Sequence, residues 1–342
     1  MNRRGFTALA IGSVLTLAAV VAATAPGPAQ TARLSFVIDT GPTGGTYFPI
    51  GEAIAGIVSH PPGIVRCDVA DACGPLGLIA SARSSAGTIA NVLDVNSRRA
   101  DAALAQSDVV ADAIAGKGAF KTKQTHIRLM ADLFPEEVHL VAAKAAHIRG
   151  VADLKGKRVS IGDASSGTIV TAHAVLAAWR LPETKLKVSR DPADVAADEL
   201  AHGRIDAFFF TGGAPVGLVS DLIASGKAVL VPIDGAGRQR LIAARPGLGA
   251  DTIAADVYPG GVAVPTVSVR AVWIVSDEVP ADVVHGVLKA LFNLANRGAL
   301  DASHASAKYI RLDNALADRP APLHPGAAAY FREMGKTVGS GR

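Results

Sequence analysis

Two short segments rich in glycine and hydroxyl groups hold the clearest chemical potential in this chain. Thr43-Gly44-Gly45-Thr46 and Ser165-Ser166-Gly167-Thr168 each follow an apolar run and precede residues with helical periodicity. The first N–H groups of a helix have no intrahelical partner, and the helix dipole adds positive potential there. Glycine lets a ligand approach the backbone, while Ser and Thr add further donors. Such a loop holds an anion without any Lys or Arg. Taken singly, Thr46 and Thr168 read as ordinary N-caps. With one loop in each half of the chain, a shared ligand cleft is the better reading. Ligands of open α/β sheets sit beyond the carboxyl ends of the strands, where both loops fall.

Other chemistries find little support. The sequence has no G-x-S-x-G elbow, no H-E-x-x-H, and no G-x-G-x-x-G after its first strand. The nine histidines are dispersed, and none stands with Asp or Glu at metal-ligand spacing. His139 and His173 are placed to approach a cleft but read as hydrogen-bonded structural residues. Asp132, Glu136 and Glu137 flank Pro135 and read as a solvated turn. Gly150 to Arg158 resembles a phosphate loop only superficially, because it precedes a strand. The expectation is a binding protein with no cofactor and no metal; a cleft enzyme or a ligand sensor is the alternative.

Composition narrows the setting. At 342 residues the chain exceeds one average domain, and 49% hydrophobic with 19% charged residues is globular. The net charge of +4 comes from scattered Lys and Arg, so no clustered cationic surface for nucleic acid is expected. Residues 1–29 have the pattern of a signal peptide: Arg3 and Arg4, an apolar run from Phe6 to Ala25, then Pro26 and Pro28. Cleavage is expected after Ala25 or Ala29, and the paired arginines also resemble a twin-arginine signal. The mature protein is then periplasmic. In that oxidising compartment Cys67 and Cys73 should pair as a disulfide rather than bind metal.

The elements that must position the two loops alternate between strand and helix. Strands are expected at Leu34–Asp39, Ala102–Ala105, Ile127–Met130, Arg158–Gly162, Ile205–Phe210 and Ala228–Val231. Helices are expected over Ile50–Val58, Val109–Ala115, Ile169–Trp179 and Val283–Ala295. This alternation implies α/β units with mostly parallel sheet. The halves also echo each other a second time, in Arg99-Ala100-Asp101-Ala102 and Arg204-Ile205-Asp206-Ala207. Two matches in the same order favour two similar lobes.

Several segments resemble the TAXI family, the extracytoplasmic solute receptors of TRAP transporters. They include Thr43-Gly44-Gly45-Thr46-Tyr47-Phe48-Pro49, Ala105-Gln106-Ser107-Asp108, Pro135-Glu136-Glu137-Val138-His139-Leu140, Ser166-Gly167-Thr168 and Ile205-Asp206-Ala207-Phe208. Tyr258-Pro259-Gly260 and Pro322-Leu323-His324-Pro325-Gly326 continue the series, which spans roughly residues 33–335. Phe48 stands where many members have a second Tyr, and Ser165 where Gly or Pro is frequent. The Cys67–Cys73 segment is a longer insertion than many relatives carry.

The resemblance implies a two-lobed type II periplasmic-binding-protein fold with a two-crossing hinge. Lobe one is expected at 33–136 plus 273–342 and lobe two at 137–272. It also implies a monomer that delivers a small carboxylate or amino acid, such as glutamate or 2-oxoglutarate, to a TRAP membrane permease. The expected ligand-binding residues are Thr43, Gly44, Gly45, Thr46, Tyr47, Gln106 and Ser107 on one side. Ser165, Ser166, Gly167, Thr168, Thr211 and Gly212 face them. Of Phe208, Phe209 and Phe210 at least one should be core, since strand side chains alternate.

Overall fold

Long runs of buried apolar residues at the centre of the chain make two strands that cross the whole molecule. These are β4 (Ile127–Ala143) and β10 (Val264–Ser276). The computed structural model describes residues 33–339; the signal segment expected over 1–29 lies outside them. The other strands are β1 (Leu34–Asp39), β2 (Leu78–Arg83), β3 (Ala102–Gln106), β5 (Arg158–Ser160), β6 (Lys187–Ser189), β7 (Ala207–Gly212), β8 (Ala228–Val231) and β9 (Gly249–Ile253). The helices are α1 (Tyr47–Val58), α2 (Thr88–Asn96), α3 (Ser107–Ala115), α4 (Gly167–Ala178), α5 (Ala193–Ala201), α6 (Gly217–Ala224), α7 (Gly235–Ala244), α8 (Ala281–Phe292), α9 (Arg297–Ser303) and α10 (Pro325–Glu333).

All ten strands join one sheet in the order β2-β1-β3-β10-β4-β7-β5-β6, with β8 beside β4 and β9 beside β10. The order is symmetric. A parallel triplet, β2-β1-β3, lies at one end and a second, β6-β5-β7, at the other. Between them β10 and β4 run antiparallel to their neighbours. β4 pairs with β10 from Ile127 to Glu137, then with β7 from Glu137 to Ala142. Glu137 is therefore where β4 passes from one half of the sheet to the other.

The sequence echo around Asp101 and Asp206 has a structural cause. Asp101 Oδ2 accepts a hydrogen bond from the Val37 N–H, and its own N–H donates to the Val37 carbonyl. Asp206 Oδ2 does the same for the Arg158 N–H, and its N–H donates to the Arg158 carbonyl. Each aspartate thus fastens the middle strand of a parallel triplet, β1 at Val37 and β5 at Arg158, to the strand that follows the aspartate.

Packing follows the same division. Phe36, Trp273 and Phe134 lie in one core with Ile50 and Ile54 of α1 and Val284, Val287 and Leu288 of α8. Phe208 and Phe210 form a second core with Val216, Val219 and Tyr258, while Phe209 points into a third. All three phenylalanines are buried, on alternating faces of β7. The third core includes residues of both halves, among them Val109, Leu140, Ala172, Val269 and Ile274. A disulfide joins Cys67 and Cys73, whose Cα atoms are 5.3 Å apart.

The acidic segment around Pro135 is not a solvated turn. It is the middle of β4, with Asp132 0% and Glu136 1% exposed. Pro135 is accommodated beside an irregularity, where Phe134 and Asp132 face the consecutive residues Ala271 and Val272. Asp132 is compensated by Arg270, whose Nε and Nη2 lie 2.8 and 2.5 Å from its Oδ1. A run of acids around proline looks solvated in sequence; here helices cover both faces of the sheet.

Candidate functional site

The carboxyl ends of β1, β3 and β7 and the starts of α1, α2 and α4 enclose a cleft of about 310 Å³. That is at the small end of the range for ligand sites, about 300–1,000 Å³. Ten of the expected residues line it: Thr43, Gly45, Thr46, Tyr47, Gln106, Ser166, Gly167, Thr168, Thr211 and Gly212. Gly44, Ser107 and Ser165 do not. Ser107 is the first residue of α3, with its hydroxyl buried and unpartnered. Ser165 directs its carbonyl to the Ala90 N–H at 3.0 Å, and the Gly44 carbonyl faces the Leu218 N–H. Gly44 and Ser165 are turned into contacts between elements, and Ser107 is buried outside the cleft lining.

The two loops have different local chemistry. Before α4, Ser166 is the N-cap: its Oγ accepts from the Ile169 N–H at 3.3 Å. Thr168 is not the cap; its Oγ1 accepts from the Thr211 N–H at 3.2 Å and ties α4 to β7. Before α1, Thr46 occupies the cap position without a side-chain cap bond. Its Oγ1 donates instead to the Gly213 carbonyl at 2.8 Å, from one half of the molecule to the other. The Thr46 hydroxyl is committed as a donor, whereas the Thr168 oxygen is occupied as an acceptor and its O–H remains, with the backbone N–H groups of the α4 start, to donate to a ligand.

Gly167 and Gln106 meet across the cleft. A Cβ added to Gly167 would fall 2.2 Å from Gln106 Oε1, so glycine alone permits this approach. Gln106 is 2% exposed, and its Oε1 has no hydrogen-bond partner among the described residues. Such an orphan costs about 1–3 kcal/mol unless something fills it. Tyr47 donates its hydroxyl to Glu136 Oε2 at 2.6 Å, and its ring packs edge-on against Phe134. That hydroxyl is therefore spent on a buried carboxylate, while Tyr47 itself lines the cleft as expected.

Burial dominates the titration of the β4 acids. It pushes the Glu136 carboxyl well above its usual range, with the Tyr47 hydrogen bond opposing the shift. Glu137 is pushed up to about 7, although it accepts the Ala214 N–H at 2.9 Å. Burial lowers His139 to about 4. The neutral ring then donates from Nδ1 to the Glu137 carbonyl and accepts the Tyr258 hydroxyl at Nε2. His139 lies outside the cleft lining. His173 pairs with Glu183 and borders a second cavity between α4 and α7. Among the described residues no group of three His, Cys, Asp or Glu is arranged to hold a metal.

The cleft also contains residues that sequence reasoning missed: Glu136, Ser84 to Thr88, Gly162, Asp163 and Asp191 to Asp194. One signal was present. Ser84-Ser85-Ala86-Gly87-Thr88 repeats the hydroxyl-glycine composition of Ser165 to Thr168 and likewise starts a helix.

Two parallel triplets joined through two crossing strands, with a polar cleft at the helix starts, define the two-lobed fold of solute-binding proteins. The solved structures agree. One from Bordetella bronchiseptica RB50 is similar at 17% identity, covering 87% of this chain and 82% of that one, with a TM-score of 0.50. MatC from Rhodopseudomonas palustris, solved with bound malate, is similar at 13% identity over 87% of this chain and 97% of that one, also at 0.50. This chain belongs to the NMT1-like family, which matches residues 38–335.

Proposed function

We propose that this protein is an extracytoplasmic solute-binding receptor that captures a small carboxylate-bearing solute between its lobes and passes it to a membrane permease. The observation that carries the reading is the cleft wall formed by the start of α4. There a capped helix presents backbone donors beside Gln106, a buried amide whose oxygen has no partner among the described residues. An anion held by neutral donors avoids a buried salt bridge and is released when the lobes part. MatC, a structural neighbour, holds malate.

Within this reading, lobe one comprises 33–136 plus 273–342 and lobe two 137–272, with β4 and β10 as the hinge strands. Hinged closure of two lobes about a ligand is a known repertoire. The contact of Gly167 with Gln106, the Thr46 bond to Gly213 and the Arg245 pair with Asp108 all join the lobes. The ligand set is the ten lining residues named above with Glu136 added. Export through residues 1–29 places the mature chain in the periplasm. The TAXI resemblance makes a TRAP permease the partner, and glutamate or 2-oxoglutarate the solutes it implies.

Thermal shift and titration calorimetry on the mature protein, against amino acids, 2-oxo acids and dicarboxylates, test the proposal. One class of carboxylate should raise the melting temperature, bind one per chain and be recovered unchanged by mass spectrometry. Preferential binding of a neutral sugar, or conversion of the solute, would refute it.

A further inference from the structure

We propose that the cleft selects a zwitterion of neutral or positive net charge, placing one carboxylate at the start of α4 and one protonated nitrogen on a floor formed by Glu136 and Gln106. This inference rests on the receptor reading above and, within small carboxylate-bearing solutes, sets aside the dicarboxylates glutamate and 2-oxoglutarate that the TAXI resemblance implies.

The charged side chains of the cleft are all acidic. Glu136, Asp163, Asp191 and Asp194 line it, with no Lys, Arg or His among the described lining residues. Asp163 is partly occupied, since its Oδ1 accepts the Ser165 N–H at 2.7 Å. Asp191 and Asp194, between β6 and the first turn of α5, add two more acids to the lining. Glu136 is the deepest of the four. At 1% exposure, its one side-chain partner among the described residues is the Tyr47 hydroxyl.

The charges around Glu136 do not neutralise it. Arg270 is committed to Asp132, and Asp108 to Arg245. Glu137 adds a further acid and binds the Ala214 N–H. Burial with a single phenolic donor under-compensates the charged form of Glu136 and pushes its carboxyl well above the usual range, so an arriving cation supplies the missing counter-charge and favours the ionised carboxylate. The unpartnered Gln106 Oε1 is a second acceptor, independent of the acids and lining the same cleft. Acceptors on the floor and N–H donors on the α4 wall match a molecule with a cationic nitrogen and one carboxylate. A second carboxylate brings Glu136 no counter-charge and meets Asp163, Asp191 and Asp194 as like charges, which is disfavoured.

The test is titration calorimetry of the mature wild-type protein with 2-oxoglutarate, L-glutamate, L-glutamine and L-ornithine. These share a carbon skeleton and run from dianion to cation. The common amino acids and their dicarboxylate counterparts complete the panel. The tightest ligand should be a neutral or cationic zwitterion, at least about tenfold tighter than the dicarboxylate of the same skeleton. Glu136→Gln should shrink that preference to less than about threefold; an unchanged preference in a folded variant would overturn the role of Glu136. The wild-type series stands even if the variant does not fold. A dicarboxylate that binds as tightly as its amino counterpart overturns this inference and leaves the receptor reading intact. Failure of every carboxylate in the panel overturns both.

Discussion

The two lobes use one sequence echo identically and the other differently. Asp101 and Asp206 perform the same task, each binding the N–H of a neighbouring parallel strand. The loops Thr43–Thr46 and Ser165–Thr168 have diverged. At α4 a serine caps the helix and a glycine admits Gln106 against its first turn. At α1 no side chain caps the helix, and the threonine hydroxyl bridges to Gly213 instead. Where a repeated residue serves the sheet, repetition preserves its role. Where it faces the cleft, one copy presents a capped helix start to the cavity and the other ties Thr46 to Gly213.

The largest expected effect separates the two loops directly. Gly167→Leu fills the space now occupied by Gln106 and should weaken solute binding by more than about a hundredfold, or about 2.8 kcal/mol. Gly44→Ala, whose added Cβ would meet only the Leu218 side chain at 3.7 Å or beyond, should leave affinity nearly unchanged. Equal losses in calorimetry would erase the distinction between the loops.

The next comparison concerns the two ends of the β4 crossing. Asp132 has Arg270 as a counter-charge and is raised to about 6, whereas Glu137 has only a backbone donor and is raised to about 7. A raised folded-state value means that the folded protein holds the proton more tightly than the unfolded chain. Stability from this group is therefore full below about 4.5 and is lost as the pH rises to about 7. Relative to Glu137→Gln, the wild type should lose up to about 3 kcal/mol across that window. Denaturant melts at pH 4.5 and 7.5 would show it. A constant difference between the two proteins would contradict the assignment.

Smaller effects sharpen the asymmetry. The disulfide closes a short loop in lobe one, and loop-closure entropy puts its contribution at about 2 kcal/mol. Replacing both cysteines by serine should lower the melting temperature without changing affinity, because neither residue lines the cleft. Ser166→Ala should cost about 1 kcal/mol through the lost cap. Thr46→Val removes no cap, so hydrogen exchange in α1 should be unaffected while that in α4 of the Ser166 variant increases.

The alternation of elements was legible, because apolar periodicity and turn residues are local properties. The expected strands at Leu34–Asp39 and Ala228–Val231 match the structure, and helix starts differ by a few residues. The loops around Gly45 and Gly167 were legible for the same reason. Glu136 was not. Nothing in Pro135-Glu136-Glu137 indicates that β4 continues through the proline or that Tyr47, distant in sequence, supplies its hydrogen bond. Nor does sequence show which hydroxyl caps and which bridges. That choice between Ser166 and Thr168 depends on where β7 places the Thr211 N–H.

The central claim is that α4 receives a carboxylate from an otherwise unaltered solute. A crystal structure of the complex with the tightest-binding member of the panel tests it most directly. The account predicts a carboxylate oxygen within hydrogen-bond distance of the Gly167 or Thr168 N–H, with Gln106 turned onto the same molecule. A carboxylate bound at another wall, or a solute seated in the second cavity between α4 and α7 with the cleft empty, would contradict it.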